Sequence, residues 1–180
     1  MGDASRRGTC TLGPQPLWAR RIPVALMPSP LGGRSMKLRA VDKADLPTLA
    51  SWTRELQEDE GASVMGTADI ESRLSRWLSA SYEAVIFEEE KPVGYALCCP
   101  SDPDLQGVGG IYLRQFFIVR HARRSGLGSA AFGLFLREVV NERRLVLEAL
   151  TSNPTGLAFW RSLGLEEYAT TFQIPGRSAV

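Results

Sequence analysis

Ile111-Tyr112-Leu113-Arg114-Gln115-Phe116-Phe117-Ile118-Val119 runs directly into Arg120-His121-Ala122-Arg123-Arg124-Ser125, and then into Gly126-Leu127-Gly128. The first segment is mostly apolar, with aromatic and β-branched side chains, and reads as a long buried strand. The second is basic and polar. The two glycines open an apolar run that reads as a helix from about Leu127 to Val140. A strand that passes through a basic turn into a helix builds an anion site. The first helical amides have no intrahelical acceptor, and the helix dipole favours negative charge there. Glycine lets the backbone approach a phosphate closely, and Arg123 and Arg124 add charge-assisted donors. A phosphate-bearing ligand is the expectation. The plain alternative is an ordinary strand-to-helix turn with solvated arginines.

Outward from that segment, the chain alternates short strands and helices. Lys37–Val41 alternates as a strand, and Asp42 caps a helix to about Glu60 with Leu46, Leu49, Trp52 and Leu56 on one face. Gly61 ends it. Thr67 is expected to cap a second helix striped by Ile70, Leu74, Trp77 and Leu78. Ala84–Phe87 and Pro92–Cys99 form a hairpin around the charged turn Glu88–Lys91. Beyond the Gly-rich loop Pro100–Gly110 and the segment already quoted come a strand over Leu145–Leu150, a helix over Pro154–Leu163 with proline in its first turn, and a last strand over Glu167–Ile174. The order β-α-α-β-β-β-α-β-α-β predicts an α+β, or mixed α/β, domain with helices covering a central mixed sheet.

A chain of 180 residues suits one domain with a tail. Residues 1–35 hold five of the eleven prolines and five arginines against the single acid Asp3. They read as a disordered or mis-started tail preceding a domain over 36–180. Their Arg-rich, acid-poor character resembles a transit peptide only weakly, and they lack the apolar core of a secretory signal. The whole chain carries +1, so nothing in the charge points to nucleic acid or a membrane surface. No apolar run approaches the roughly 18 residues of a membrane span. Cys10 and the adjacent Cys98-Cys99 make no disulfide framework, which suggests a reducing cytoplasm. Cys98-Cys99 falls in a strand and reads as core packing. No cluster has zinc-ligand spacing, so no metal is expected.

Three kinds of phosphate loop compete. The nucleotide-hydrolase loop requires a Gly-Lys-Ser/Thr ending that is absent. The dinucleotide fingerprint fits Gly126-x-Gly128-x-x-Ala131, with Glu148 about twenty residues on. Against it, Arg120–Ser125 separates the strand from the first glycine, and too little chain follows Glu148 for a second half-sheet. The third candidate fits best. Arg123-x-x-Gly126-x-Gly128 resembles the Gln/Arg-x-x-Gly-x-Gly/Ala signature of the GNAT superfamily of N-acetyltransferases. Tyr112–Val119 resembles that family's fourth strand, and Leu147-Glu148-Ala149-Leu150-Thr151-Ser152-Asn153 its fifth strand and asparagine. Phe159-Trp160-Arg161-Ser162-Leu163-Gly164-Leu165 is similar to the aromatic-x-x-x-Gly-Phe ending. Met36–Trp52, with Asp45, resembles its first strand and helix.

The resemblance implies transfer of an acetyl group from acetyl-CoA to a primary amine by direct attack on the thioester. A coenzyme A-binding module without turnover is the alternative. It implies fourth and fifth strands that splay apart, with loop amides of Arg123, Arg124, Ser125, Gly126, Leu127, Gly128 and Ser129 on the coenzyme A pyrophosphate. Backbone groups of Phe117, Ile118 and Val119 would pair with the pantetheine arm as an added strand does. Asn153 would contact the pantetheine or hold the splay; read from the residues alone, it is a helix cap before Pro154. Phe159 and Trp160 complete the implied coenzyme site. Trp160 stands where the family often has a sulfur-protonating tyrosine, and an indole is no useful acid. Arg114-Gln115 stands where many relatives carry an acidic pair.

Glu148 is therefore the first candidate base, because the alternation Leu145, Leu147, Ala149 turns it to the other strand face. Tyr168 is the catalytic acid candidate carried with it, Tyr112 is a weaker one, and His121 reads as surface. Glu55, Glu58, Asp59 and Glu60 form an acidic helix end, either solvated or drawing a cationic amine by steering. The expected partner is a small-molecule or protein amine. A homodimer is left open.

Overall fold

The computed structural model describes residues 35–104 and 107–172. The expected tail and the end of the expected last strand lie outside those residues. β1 (Lys37–Ala40) leads through the 3-10 turn Lys43–Asp45 into α1 (Leu46–Asp59). α2 (Thr67–Leu78), β2 (Glu83–Glu88), β3 (Pro92–Ser101) and β4 (Gly110–Ile118) follow. Beyond the basic loop come α3 (Leu127–Phe135), β5 (Arg144–Leu147) and α4 (Pro154–Ser162). The five strands lie in the order β1-β2-β3-β4-β5. The first three pairings are antiparallel and β4–β5 is parallel, the mixed sheet expected from the order of elements.

Strand alternation sorts the core into two layers. Tyr95 and Phe117 pair across β3 and β4 and point to one face, where Trp52 of α1 packs 6.1 Å from each ring centre. Phe87 and Phe116 share the other face, where Phe132 of α3 and Phe159 and Trp160 of α4 meet Phe116. Helices therefore cover both faces, and removing the large side chains of α1 and α3 from water drives the assembly. At the chain's entry, Asp42 accepts from the Ala44 amide at 2.7 Å and the Asp45 carboxylate accepts from the Asp42 amide at 2.9 Å. This reciprocal cap satisfies amides that the helix start leaves open. Asp45 also takes two bonds from the Arg39 guanidinium, which reaches on to Glu88, so β1, β2 and the start of α1 are tied by one cation. That contact holds the Asp45 carboxyl below the usual carboxylate range.

Three local expectations are corrected. Residues 167–172 form no strand; Glu167 instead pairs with Arg161 of α4, which holds the segment against that helix. The cap of α2 is Gly66 rather than Thr67, which is its first helical residue. The helix begun at Leu127 is α-helical only to Phe135 and closes in a π turn over Leu136–Val140, with Asn141 left-handed at φ 47°. The wider turn brings Val140 back into the core.

Candidate active site

β4 and β5 pair from Gly110↔Arg144 to Leu113↔Leu147 and then part, while β4 continues to Ile118. On its other edge β4 stays paired with β3 as far as Gly94↔Ile118. The Val119 amide donates to the Val93 carbonyl at 2.9 Å, so by antiparallel alternation the backbone groups of Phe116 and Ile118 face the open edge. The splay is therefore a strand edge inside the molecule. Its lower part is interrupted by a bulge. Leu97 pairs with Gln115 and Cys98 with Leu113, which leaves Arg114 as the extra residue of β4. The bulge turns Arg114 and Gln115 to the same side of the sheet. Arg114 lies over the Trp77 ring of α2, and Gln115 Oε1 accepts from the buried Tyr95 hydroxyl at 3.1 Å. That hydroxyl also meets Thr53 Oγ1 of α1 at 2.7 Å.

A cleft of about 110 Å³ opens where the strands separate. Leu56 and Glu60 wall it from the end of α1, Leu113–Phe116 from β4, Leu147–Ala149 from β5 and the residues after it, and Asn153, Gly156, Phe159 and Trp160 from α4. The sequence-based candidates Glu148, Asn153, Phe159 and Trp160 meet here. Glu148 accepts from the Tyr112 hydroxyl at 3.0 Å. Burial first, and the Glu148 carboxylate second, push the Tyr112 phenol above its ordinary range. Asn153 caps α4, its Oδ1 accepting from the Gly156 amide at 2.8 Å, and Gly156 has no Cβ to displace it. Tyr168 is not brought to the cleft: it is exposed and lies under the Arg144 guanidinium.

At the upper end, the loop after β4 delivers the start of α3. Arg124 and Gly126 are left-handed, with φ of 61° and 85°, and no side chain caps the helix. Ala130 is the first residue whose amide meets an intrahelical acceptor, Gly126 O at 3.1 Å. The amides of Leu127, Gly128 and Ser129 are thus the donors the loop leaves for an anion. Ser125 turns its hydroxyl to Ala122 O. Arg123 is committed elsewhere: Nε donates to Ile118 O at 2.7 Å, Nη2 pairs with Asp59 at 2.7 Å, and the guanidinium covers the Phe117 ring. Among the described residues the Arg124 side chain has no such tie. Gly128 has a packing role the sequence did not disclose, since a Cβ there would lie 3.3 Å from Phe159 Cε2. The Val119 carbonyl accepts from the Ala122 amide, so both backbone groups of Val119 are used inside the chain.

The acidic end of α1 is a partly exposed ion-pair cluster rather than a free steering patch. Glu55, Glu58 and Asp59 surround the Arg120 guanidinium, and Asp59 also holds Arg123. Glu60 alone turns into the cleft. Burial, with the Asp59 charge second, raises its carboxyl above the ordinary range. Sequence reasoning placed Glu60 among four equivalent acids, and only the first-to-last order along the helix end, next to Gly61, could have separated it. Among the described residues no group of His, Cys, Asp or Glu is arranged to hold a metal ion, and no helix is long and apolar enough to cross a membrane.

The dinucleotide alternative fails on topology, because a doubly wound sheet is mostly parallel and this sheet has one parallel pair. The acetyltransferase (GNAT) family model matches residues 47–165. No curated protein matches the sequence significantly. Among solved structures, the fold is similar to that of a possible acetyltransferase from Clostridium difficile 630, at TM-score 0.63 and 14% identity over 81% of this chain and 98% of that one. It is similar to the aminoglycoside N-acetyltransferase AAC(6')-Iy in complex with CoA, at TM-score 0.63 and 16% identity over 82% and 99%. A predicted acetyltransferase with acetyl-CoA from Clostridium acetobutylicum aligns at TM-score 0.63 and 16% identity over 78% and 96%. With the family match spanning both the uncapped start of α3 and the splayed strands, the chain belongs to the GNAT acetyltransferase family.

Proposed function

We propose that the protein transfers an acetyl group from acetyl-CoA to a primary amine in the cytoplasm. One observation carries this reading: β4 runs on past its parting from β5 with an open edge, and leads through the basic loop to a helix start whose amides no side chain caps. A diphosphate suits the amides of Leu127, Gly128 and Ser129, with Arg124 the nearby uncommitted cation. An amide-bearing pantetheine arm suits the backbone groups of Phe116 and Ile118, as an added strand would. Acetyl-CoA, when bound, supplies the activated acyl group and the thiolate leaving group.

The chain's own residues handle protons and orientation. An alkyl amine, with a pKa of about 10.4, must lose a proton to attack. Glu60 is the better base, because its raised pKa keeps proton affinity closer to neutral pH than an ordinary carboxylate allows. Glu148 lies on the other wall, tied to Tyr112. Tyr112 stays protonated, and its hydroxyl proton is held by Glu148. Gln115, fixed through Oε1 by Tyr95, keeps its amide nitrogen as a donor for a carbonyl oxygen in the cleft. The C–N bond forms as the C–S bond breaks, and the amine proton leaves through Glu60.

Thiol release from acetyl-CoA, measured with a panel of primary amines, tests the reading. Amine-dependent release that falls about 100-fold in Glu60→Gln supports it. Calorimetric binding of coenzyme A with no transfer to any amine would make the chain a binding module, and no binding at all would remove the reading entirely.

A further inference from the structure

We propose that Arg114, which lines the cleft, and Arg73, gathered with it on the Trp77 ring, recognise an anionic group, a carboxylate, on the acceptor amine; this rests on the acetyl-transfer reading above. The two guanidinium carbons stand 5.0 and 5.4 Å from the centre of the same indole. Tyr82 stacks on that indole at 5.1 Å and completes an aromatic floor. Cations do share aromatic faces, but two on one ring repel unless an anion joins them. No acid does so here: among the described residues neither arginine has a carboxylate partner, although α1 and the basic loop are laced with ion pairs. Arg73 Nε is buried and has no hydrogen-bond acceptor. A buried charged donor without a partner is costly, and an incoming carboxylate relieves both that cost and the repulsion.

The placement matches the chemistry of the cleft. The bulge in β4 is what sends Arg114 to this face, and Arg114 also lines the cleft together with Glu60 and Glu148. The cleft is therefore dipolar. Two carboxylates receive an ammonium, and the arginine pair stands to one side of them. A zwitterionic amine, of the amino-acid class, fits that pattern. A polycation does not, because the remaining acids at the end of α1 are already neutralised by Arg120 and Arg123.

The test compares primary-amine acceptors that differ in the group the arginines would meet. L-lysine, L-lysine methyl ester, cadaverine, phosphoethanolamine and spermidine are assayed for acetyl transfer with wild type, Arg114→Lys, Arg114→Ala and Arg73→Ala, each checked for folding by thermal melting. A lysine-to-cadaverine ratio of kcat/KM of about tenfold or more in wild type, lost in the alanine variants and partly kept in Arg114→Lys, is the expected result. A preference for phosphoethanolamine over lysine would replace carboxylate by phosphate and overturn the stated class. Equal or better turnover of cadaverine or spermidine would overturn the proposal itself. A second readout needs no turnover: quenching of tryptophan fluorescence by Nα-acetyl-lysine but not by its amide, abolished in Trp77→Phe. Absence of that difference sinks the anion site even if acetyl transfer is observed, and its presence without transfer sinks only the catalytic reading.

Discussion

Arg123 Nη2 lies 2.7 Å from Asp59 Oδ2, so the loop that opens α3 is pinned to the far end of α1. The same guanidinium donates to the Ile118 carbonyl and covers the Phe117 ring. One side chain thus joins the loop, β4 and α1. Both partners are partly exposed, so the ion pair itself contributes about 0.5–1 kcal/mol. Arg123→Ala and Asp59→Ala should each lower stability by that order and raise the KM for acetyl-CoA. A double-mutant cycle should give a coupling of the same size, since the residues touch. Additive effects in urea denaturation would mean that the contact does not hold the loop.

Glu60 predicts a pH dependence of stability with a definite sign. Its folded pKa is raised by burial, so the native state binds the proton more tightly than the unfolded chain. Stability therefore falls as pH rises from the ordinary carboxylate range through the raised value. Glu60→Gln should melt higher than wild type at pH 7, with the advantage fading under acid conditions. The same variant should lose the acidic limb of the pH–rate profile. Stabilisation without any change in that limb would leave Glu60 a strained wall residue rather than a base.

Gly128 is a packing glycine. Its missing Cβ leaves room for Phe159, which stacks on Phe116. Gly128→Val should cost about 1–3 kcal/mol by overpacking. Adding Phe159→Leu should return part of it in thermal melts, because a smaller partner makes the space. No recovery would place the damage in the helix start itself.

Tyr95 is fully buried, and its hydroxyl serves both Thr53 and Gln115. Tyr95→Phe leaves Thr53 Oγ1 buried without that partner and frees Gln115 at the cleft. The expected loss is about 1–3 kcal/mol, a melting shift of roughly 2–4 °C per kcal/mol for a chain of this size. A fall in kcat larger than stability explains would identify Gln115 orientation as the functional part.

Asn153→Ala removes the Oδ1 acceptor from the Gly156 amide and should destabilise by about 0.5–2 kcal/mol. Asn153→Asp keeps the acceptor and should restore the melting temperature.

Local signals carried the elements. The alternation of β2 and β3 around a charged turn, the reciprocal Asp42–Asp45 cap, Gly61 beyond α1 and Asn153-Pro154 at α4 each act within a few residues, so the sequence displays them directly. The glycine-bearing start of α3 was legible for the same reason, since uncapped amides belong to any helix beginning. Which residues meet across the sheet was not. The bulge at Arg114, the capture of Arg120 and Arg123 by α1, the isolation of Glu60 in the cleft and the contact of Gly128 with Phe159 depend on partners that β-pairing and helix packing bring together from distant parts of the chain. Charge and burial are properties of assembled neighbours. The sequence by itself therefore determined where the chain turns and which segment offers amides to an anion, while the tertiary structure decided which acids and arginines remain unspent around the cleft.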